Sequence, residues 1–171
     1  MQYKDFEYDF VQRTLDNLKW IDEKSRESTI GTFYEFTNLV NQCLGLIVFP
    51  KELADDVIMN SFPQDLHIYG ISDTDIEKIK NNNSKTLSNV FRHLRNGIAH
   101  GHIQQNDDTT PEISEIVIWD IAPKYDTQGN VIKQTKDDAH TIIKLSVQQL
   151  KNLATTIAEK YLEIKSATTK P

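Results

Sequence analysis

Three side chains near the middle of the sequence, those of Arg95, Asn96 and His100, are of the types that can cut a phosphodiester. An arginine guanidinium can bind a phosphate through two parallel hydrogen bonds, and a histidine titrates near neutral pH, so that it can take up or release a proton. An amide beside them can orient either group. Because this combination can cleave RNA without a metal ion, we take these residues as the candidate catalytic set and expect no metal and no cofactor.

One amphipathic helix is predicted to carry all three residues. Its apolar side chains recur at spacings of four, three and four residues and form the stripe that faces the core: Leu87, Phe91, Leu94 and Ile98. At about 100° per residue, Arg92, Asn96 and His100 then share the opposite face, and Arg95 lies on the flank between the two faces. A polar face of this composition is not needed for folding, so we expect it to meet a ligand or a partner.

The ends and the middle of this helix carry further signals. Ser84 is the predicted N-cap, because its hydroxyl can accept a hydrogen bond from a backbone amide of the first turn, and Gly101 is the predicted C-terminal stop. Gly97 lies inside the helix, where glycine costs about 1 kcal/mol relative to alanine. That cost predicts a close approach of a second backbone or of a nucleotide at this position.

The charge distribution favours a polyanionic ligand at the same helix. The chain carries a formal net charge of −6, which argues against a protein coated with positive charge for unspecific nucleic-acid binding. From Lys78 to Asn106, however, the sequence has five lysines and arginines and no aspartate or glutamate. We therefore predict RNA contacts from the basic and imidazole side chains near the motif: Lys85, Arg92, His93 and His102. The alternative is a basic helix face that is only solvated.

The remaining helices are predicted from apolar residues three and four positions apart. This periodicity indicates helices at Tyr3–Lys24 and Thr32–Phe49, and a short helix is expected at Asp73–Ile79. Ser146 and Gln149 have the spacing of a capping box, which opens a final helix.

Two segments before the final helix are rich in β-branched and aromatic residues and predict a β-hairpin with a long connection: Ile113–Ile121 and Thr141–Leu145. The expected fold is therefore mainly α, a helical bundle of four long helices plus a short one, with the hairpin inserted before the last helix. At 171 residues the chain has the size of one domain. We expect residues 1–165 to form that domain and residues 166–171 to be a flexible tail.

Two features bear on where the protein works. The N-terminal segment has neither a basic region nor an uninterrupted apolar run, and no later apolar run is long enough to span a membrane. We therefore expect a cytoplasmic protein without a membrane partner. The single cysteine, Cys43, cannot form an internal disulfide and lies in an apolar helix pattern, which predicts a small buried side chain. A reactive thiol is the alternative.

The segment Arg95-Asn96-x-x-x-His100 resembles the R-x4-6-H motif of the HEPN family, in which the residue after the arginine is typically Asn, Asp or His. The surrounding chain is similar to a bacterial plasmid and defence-type ribonuclease branch of that family. The similarity rests on the end of the second helix, the end of the motif helix and the strand before the last helix: Leu44–Glu52, Leu94–Ile103 and Ile116–Asp120.

The resemblance implies a HEPN-like bundle that forms a homodimer, so that two motifs face each other across a two-fold axis and build one composite cleft. It also implies a metal-independent endoribonuclease in a bacterial toxin or phage-defence role. His100 would be the general base or acid at the ribose 2′-hydroxyl and the leaving oxygen, Arg95 would hold the scissile phosphate, and Asn96 would orient either group. The implied products are a 2′,3′-cyclic phosphate and a 5′-hydroxyl, so DNA should not be cut.

One position departs from the pattern of the family. HEPN toxins that are silenced by a nucleotidyltransferase antitoxin often carry a tyrosine two residues after the motif histidine, where this chain has His102. The departure puts regulation by tyrosine modification in doubt. A silencing partner protein stays open as a further partner besides RNA.

Less specific interpretations of the same residues also stay open. His100 could stabilise the C-terminal dipole of its helix, and Arg95 could pair with a carboxylate in the bundle. The histidines at positions 93, 100 and 102 could suggest a zinc site, but no cysteine or carboxylate near them in the sequence completes a tetrahedral set. For the whole protein, the alternative to an enzyme is a HEPN dimer that binds RNA or a partner protein without turnover.

Overall fold

A computed structural model describes residues 5–27, 35–48, 62–79, 85–105 and 114–168 of the chain. These residues form four α-helices: α1 (Phe6–Glu27), α2 (Glu35–Cys43), α3 (Leu87–Ala99) and α4 (Val147–Thr168). They also form four β-strands: β1 (Ile76–Lys78), β2 (Ile103–Gln105), β3 (Glu115–Asp120) and β4 (Thr141–Ser146). By their contacts the described residues fall into two compact units, one within Met1–Pro63 and Leu150–Pro171 and one within Gln64–Gln149.

The first unit is helical. Helix α1 packs against α2, which passes directly into a π-helical turn at Leu44–Val48. The predicted apolar face of α1 is buried at Val11, Leu15 and Leu18, whereas Phe6 at its start is exposed. Three ion pairs join α1 to the part of α4 in this unit: Lys19–Glu159, Asp22–Lys151 and Glu7–Lys165.

Cys43 ends α2 and is fully buried, which confirms the prediction of a small core side chain. Burial raises the pKa of its thiol to about 12, because the thiolate would lose its hydration. The thiol is therefore uncharged at neutral pH and is not the reactive group considered as the alternative.

The second unit contains an antiparallel sheet with the strand order β1-β4-β3-β2. The predicted hairpin is the centre of this sheet, since β3 and β4 pair from Glu115 opposite Ser146 to Asp120 opposite Thr141. Strand β1 pairs with the other edge of β4, and β2 pairs with the other edge of β3.

The prediction of a helical bundle that contains only a hairpin is therefore wrong. Helix α2 passes into a π-helical turn at Leu44–Val48, and two three-residue strands enlarge the hairpin into a four-stranded sheet. Three residues are too few for the alternation of apolar and polar side chains to be read from a sequence.

The predicted short helix at Asp73–Ile79 is likewise a 3-10 turn (Asp73–Asp75) followed by β1. The carboxylate of Asp75 accepts hydrogen bonds from both the amide (2.6 Å) and the hydroxyl (2.8 Å) of Ser72. These bonds cap the start of the turn, which ends at Asp75, and the chain continues as strand β1.

The predicted apolar stripe of α3 is buried at all four of its positions: Leu87, Phe91, Leu94 and Ile98. The helix begins after Thr86, whose hydroxyl accepts a hydrogen bond from the amide of Asn89 (3.4 Å). Ser84, the predicted cap, lies outside the described residues. The sequence thus predicted the buried face of this helix but placed its start differently.

A glycine closes the C-terminus of α3, as predicted. Gly101 has a φ of +70°, the left-handed conformation that glycine adopts without strain. The turn lets the amides of Gly101 and His102 donate to the carbonyl oxygens of Ile98 and Gly97, at 3.1 and 2.8 Å. His100 is thereby held at the very end of the helix.

Gly97 is the position at which α3 comes very close to the sheet. A Cβ atom placed there would lie 2.5 Å from Cγ2 of Ile118 and 2.8 Å from the backbone carbonyl oxygen of Trp119, both in β3. Both distances are shorter than van der Waals contact. The predicted close approach is confirmed, and the partner is β3, through the side chain of Ile118 and the backbone of Trp119.

Helix α4 opens with the predicted capping box. The amide of Ser146 donates to Oε1 of Gln149 (2.8 Å), and the amide of Gln149 donates to Oγ of Ser146 (3.1 Å). The helix continues to Thr168, three residues into the segment that was expected to be a tail, and residues 169–171 lie outside the described ranges. Within those ranges no helix combines the length and the apolar character needed to cross a membrane.

We expect the substitution Gly97→Ala to destabilise the protein. In an unconstrained helix this change stabilises by about 1 kcal/mol, but here the added methyl group must displace β3, and overpacking of this kind typically costs about 1–3 kcal/mol. Urea titration should therefore give a lower free energy of unfolding. The control is Ala99→Gly at the exposed last residue of the same helix, where helix propensity alone should change the stability by less than the roughly 1 kcal/mol of a helix interior. An unchanged or higher stability of Gly97→Ala would contradict the close contact.

Candidate active site

Helix α3 and the end of β3 form a cleft of about 250 Å³ in the second unit. Six polar residues line it: Arg92, His93, Asn96 and His100 on α3, Asp120 at the end of β3, and His140 before β4. The amide of His140 donates to the carbonyl oxygen of Asp120 (3.2 Å), which keeps these two residues side by side.

The geometry of α3 explains why its polar residues reach this cleft. Residues 93, 96, 97 and 100 share one face of a helix because they are three, four and seven positions apart. Gly97 lets that face lie against β3 at Trp119, and Asp120 is the next residue of the strand. His93 and Asn96 therefore contact Asp120, while His100 is exposed at the helix end.

The carboxylate of Asp120 is the centre of the hydrogen bonds in the cleft. Its Oδ2 accepts from Nδ1 of His93 (2.7 Å) and from Nδ2 of Asn96 (2.9 Å), and Nε2 of His140 lies 4.0 Å away. Burial by itself raises the pKa of Asp120, but the hydrogen bonds from His93 and Asn96 and the electrostatic attraction of the nearby imidazoles outweigh burial and hold this pKa below its usual value. Asp120 is therefore charged at neutral pH.

Two arginines fix the outer ends of this network. Nη1 of Arg95 donates to Oδ1 of Asn96 (2.7 Å), so the amide of Asn96 has its oxygen toward Arg95 and its nitrogen toward Asp120. Nη2 of Arg92 lies 3.1 Å from Nε2 of His93. Because a guanidinium can only donate, Nε2 of His93 accepts this bond, and the proton of the neutral ring is on Nδ1.

His93, Asp120 and His140 also form a group of the kind that can hold a metal ion, since their ligand atoms lie within 4.8 Å of one another. The bond from Arg92 argues against that use. It leaves the proton of His93 on Nδ1, and a protonated nitrogen has no lone pair for a metal. The carboxylate that the sequence lacks near its histidines thus comes from β3, where it acts as a hydrogen-bond acceptor.

Two of the residues that were predicted to contact RNA are not exposed at the surface of the cleft. His93 is 1% exposed and bonded to Asp120, so its ring has no free edge for RNA. Lys85 precedes α3, with its Nζ 3.0 Å from Oδ1 of Asp73. It lies at the opposite end of the 13-residue helix from His100, a distance of roughly 20 Å along the helix axis.

The other predicted site residues lie near His100. Arg92 is exposed and lines the cleft, while Arg95 is half-buried on the flank of α3 and reaches the network through Asn96. The ring of His102 stacks on the indole of Trp119, with centroids 5.6 Å apart and an interplanar angle of 11°. Its centroid is 5.9 Å from that of the His100 ring.

Sequence reasoning missed Asp120 and His140. A signal for Asp120 exists, because Ile116, Ile118 and Asp120 alternate along β3 and all three are buried. A carboxylate on the same strand face as buried isoleucines is itself buried, and a buried carboxylate requires hydrogen-bond donors. His140 has no comparable signal, since its position next to Asp120 follows from the pairing of Asp120 with Thr141.

Asp120 should make the free energy of unfolding depend on pH. Its pKa is lower in the folded than in the unfolded state, so its interactions stabilise the fold above the unfolded pKa of about 4, and this stabilisation is lost as the pH falls through the folded-state pKa. We expect wild type to exceed Asp120→Asn in stability at neutral pH and the difference to shrink as the pH falls below the unfolded-state pKa of about 4 and through the lower folded-state pKa. Denaturant titrations of both proteins measure it, and a difference that does not change with pH would contradict the assignment.

Comparison with known proteins agrees with the resemblance in the motif. The family model described as HEPN pEK499 p136 matches residues 1–168. No curated protein and no solved structure was found to match the chain. HEPN membership suggests a nuclease- or RNA-related role, and proteins of this family often dimerise and bind RNA. Since the match includes α3, β3 and β4 and nearly the whole sequence, the chain belongs to the HEPN family.

Proposed function

We propose that this protein is a metal-independent endoribonuclease that cuts RNA by attack of a ribose 2′-hydroxyl on the adjacent phosphate, in a bacterial toxin or phage-defence role. The observation that carries the proposal is that an exposed histidine, His100, lies in one cleft with Asn96, to which Arg95 is hydrogen-bonded. HEPN membership supports the same class of role.

His100 is proposed to transfer protons. An exposed imidazole can take the proton of the 2′-hydroxyl while O2′ forms its bond to phosphorus and the bond to the 5′-oxygen breaks. The equivalent histidine of a second copy would give a proton to the leaving oxygen. The products are a 2′,3′-cyclic phosphate and a 5′-hydroxyl, and no oxidant or metal is consumed.

The arginines are proposed to stabilise the charge that builds on the phosphate in the transition state. Arg95 is suited to this because its bond to Asn96 fixes its guanidinium, and preorganised donors lower the barrier more than mobile ones. Arg92 is exposed at the cleft and can bind a phosphate of the same strand. Asn96 connects the phosphate-binding group to the cleft that contains His100, since Asn96 lines this cleft and is hydrogen-bonded to Arg95.

The alternative of a HEPN dimer that binds RNA or a protein without turnover has one observation in its favour. Arg95 is half-buried, and one of its donors is already used by Asn96. An arginine in this state can order the helix end without contacting a substrate. RNA binding without any shortening of the RNA would support this alternative.

The purified protein should shorten labelled RNA in excess EDTA, because neither histidine nor arginine chemistry needs a metal. DNA of the same sequence should stay intact, since it lacks the attacking 2′-hydroxyl. Mass spectrometry should find 2′,3′-cyclic phosphate and 5′-hydroxyl ends. Loss of cleavage in EDTA, or cleavage of the DNA, would contradict the mechanism.

Variants of the motif provide the controls for this cleavage. His100→Ala should cut at least about 100-fold more slowly, and Arg95→Ala roughly 100- to 1000-fold more slowly. His67→Ala is the matched histidine control, because His67 is exposed in the 3-10 turn Leu66–Tyr69 and has no proposed role. Wild-type cleavage by His100→Ala would refute its assignment as the proton-transfer group.

A composite cleft requires two copies of the chain. Sedimentation equilibrium at the concentrations used for cleavage should therefore give about twice the chain mass of 19.7 kDa. Cleavage by a protein that stays monomeric under those conditions would rule out the composite cleft while leaving the histidine chemistry in place.

A further inference from the structure

Donor nitrogens from α3 and from the segment before β4 converge on a single oxygen atom, Oδ2 of Asp120. Nδ1 of His93 lies at 2.7 Å, Nδ2 of Asn96 at 2.9 Å and Nε2 of His140 at 4.0 Å. Asp120 is only 6% exposed. A buried carboxylate is stable when its oxygens are hydrogen-bonded, so this arrangement holds the side chain in one place.

The direction of each bond is fixed by chemistry. Arg95 can only donate, so the oxygen of the Asn96 amide must face it and the nitrogen must face Asp120. In the opposite orientation the amide nitrogen would face a guanidinium and its oxygen would face a carboxylate, which are a donor–donor and an acceptor–acceptor contact. Asp120 therefore excludes the flipped amide.

We propose that Asp120 is a positioning residue, which holds the amide of Asn96, and through it the guanidinium of Arg95, in the orientation used for RNA cleavage. The link to cleavage rests on the proposed function, whereas the hydrogen-bonded chain from Asp120 to Arg95 is a feature of the fold. Asp120 lies 24 residues after Asn96 and is not part of the R-x4-6-H motif.

The charge of Asp120 is part of this role. The charged and titratable groups that face it are His93, with Arg92 behind it, on α3 and His140 from the segment before β4. Hydrogen bonds to a charged acceptor are roughly twice as strong as those to a neutral one. An amide oxygen in the place of Oδ2 would keep the shape of the site but hold Asn96 more loosely.

The first experiment compares Asp120→Asn with Asp137→Asn, which makes the same charge change at an exposed turn, Lys136–Asp138. Asp120→Asn should lower kcat roughly 10- to 100-fold with KM little changed, because it weakens orientation rather than substrate contacts. In ¹⁵N NMR spectra, the side-chain amide signal of Asn96 should shift and broaden in Asp120→Asn only. Wild-type kcat together with an unchanged signal would overturn the proposal.

The second experiment swaps donor and acceptor. Asn96→Asp alone places two carboxylates in contact and should cut poorly. Adding Asp120→Asn restores a bond in the reverse direction, because the new amide can donate to the new carboxylate, which still accepts from Arg95. A double variant that cuts faster than both single variants supports positioning, and one that is no faster than Asp120→Asn overturns it. Where Asp120→Asn alone fails to fold, Asn96→Asp is the comparator, and a double variant that is no faster than Asn96→Asp overturns the proposal.

The two experiments separate this inference from the proposed function. If wild type cuts RNA and Asp120→Asn cuts with the same kcat, the function stands and the positioning role is overturned. If wild type does not cut RNA, the proposed function fails, and the Asn96 signal still decides whether Asp120 orders the motif. A signal that is identical in wild type and Asp120→Asn then overturns the inference, and a lost signal supports it.

Discussion

The contact between α3 and β3 at Gly97 is the constraint on which the cleft depends. Only the absence of a side chain lets the helix lie on Ile118 and on the carbonyl oxygen of Trp119. Once the helix lies there, His93 and Asn96 meet Asp120 at the end of the strand, because they share the face of Gly97. The close packing of α3 on β3 therefore decides which polar groups of the two elements can form hydrogen bonds.

The parts of the fold that were predictable are those with a signal in the local sequence. The apolar stripe of α3 follows from helical spacing and the β3–β4 hairpin from two segments rich in β-branched and aromatic residues, and the structure confirms both. Strands β1 and β2 have three residues each and gain their stability from edges that β3 and β4 already provide. Such strands depend on tertiary pairing rather than on local preference, so the local sequence could not reveal the sheet.

The site was predictable to the extent that one helix carries it. Helical spacing brought Arg92, Asn96 and His100 to one face, and the structure places all three at the cleft. Helical spacing could not show that His93 faces the sheet, because the carboxylate to which its Nδ1 donates lies 27 residues further along the chain. His93 was predicted to contact RNA because it lies in the basic stretch near the motif, whereas the structure buries its ring against Asp120.

A carboxylate in a cleft proposed to bind RNA would repel phosphate if it were free, but its depth and its bonds reduce that effect. Asp120 is buried and accepts two hydrogen bonds at Oδ2, while Arg92 and His100 are exposed at the cleft surface. A phosphate at that surface would meet the exposed side chains of Arg92 and His100 before the carboxylate of Asp120, which is only 6% exposed. Since the polarised N–H groups already offset the charge of Oδ2, the nearer cation dominates the field at the phosphate. The same negative charge can thus order the amide beside Arg95 without excluding the polyanion that the arginine is proposed to bind.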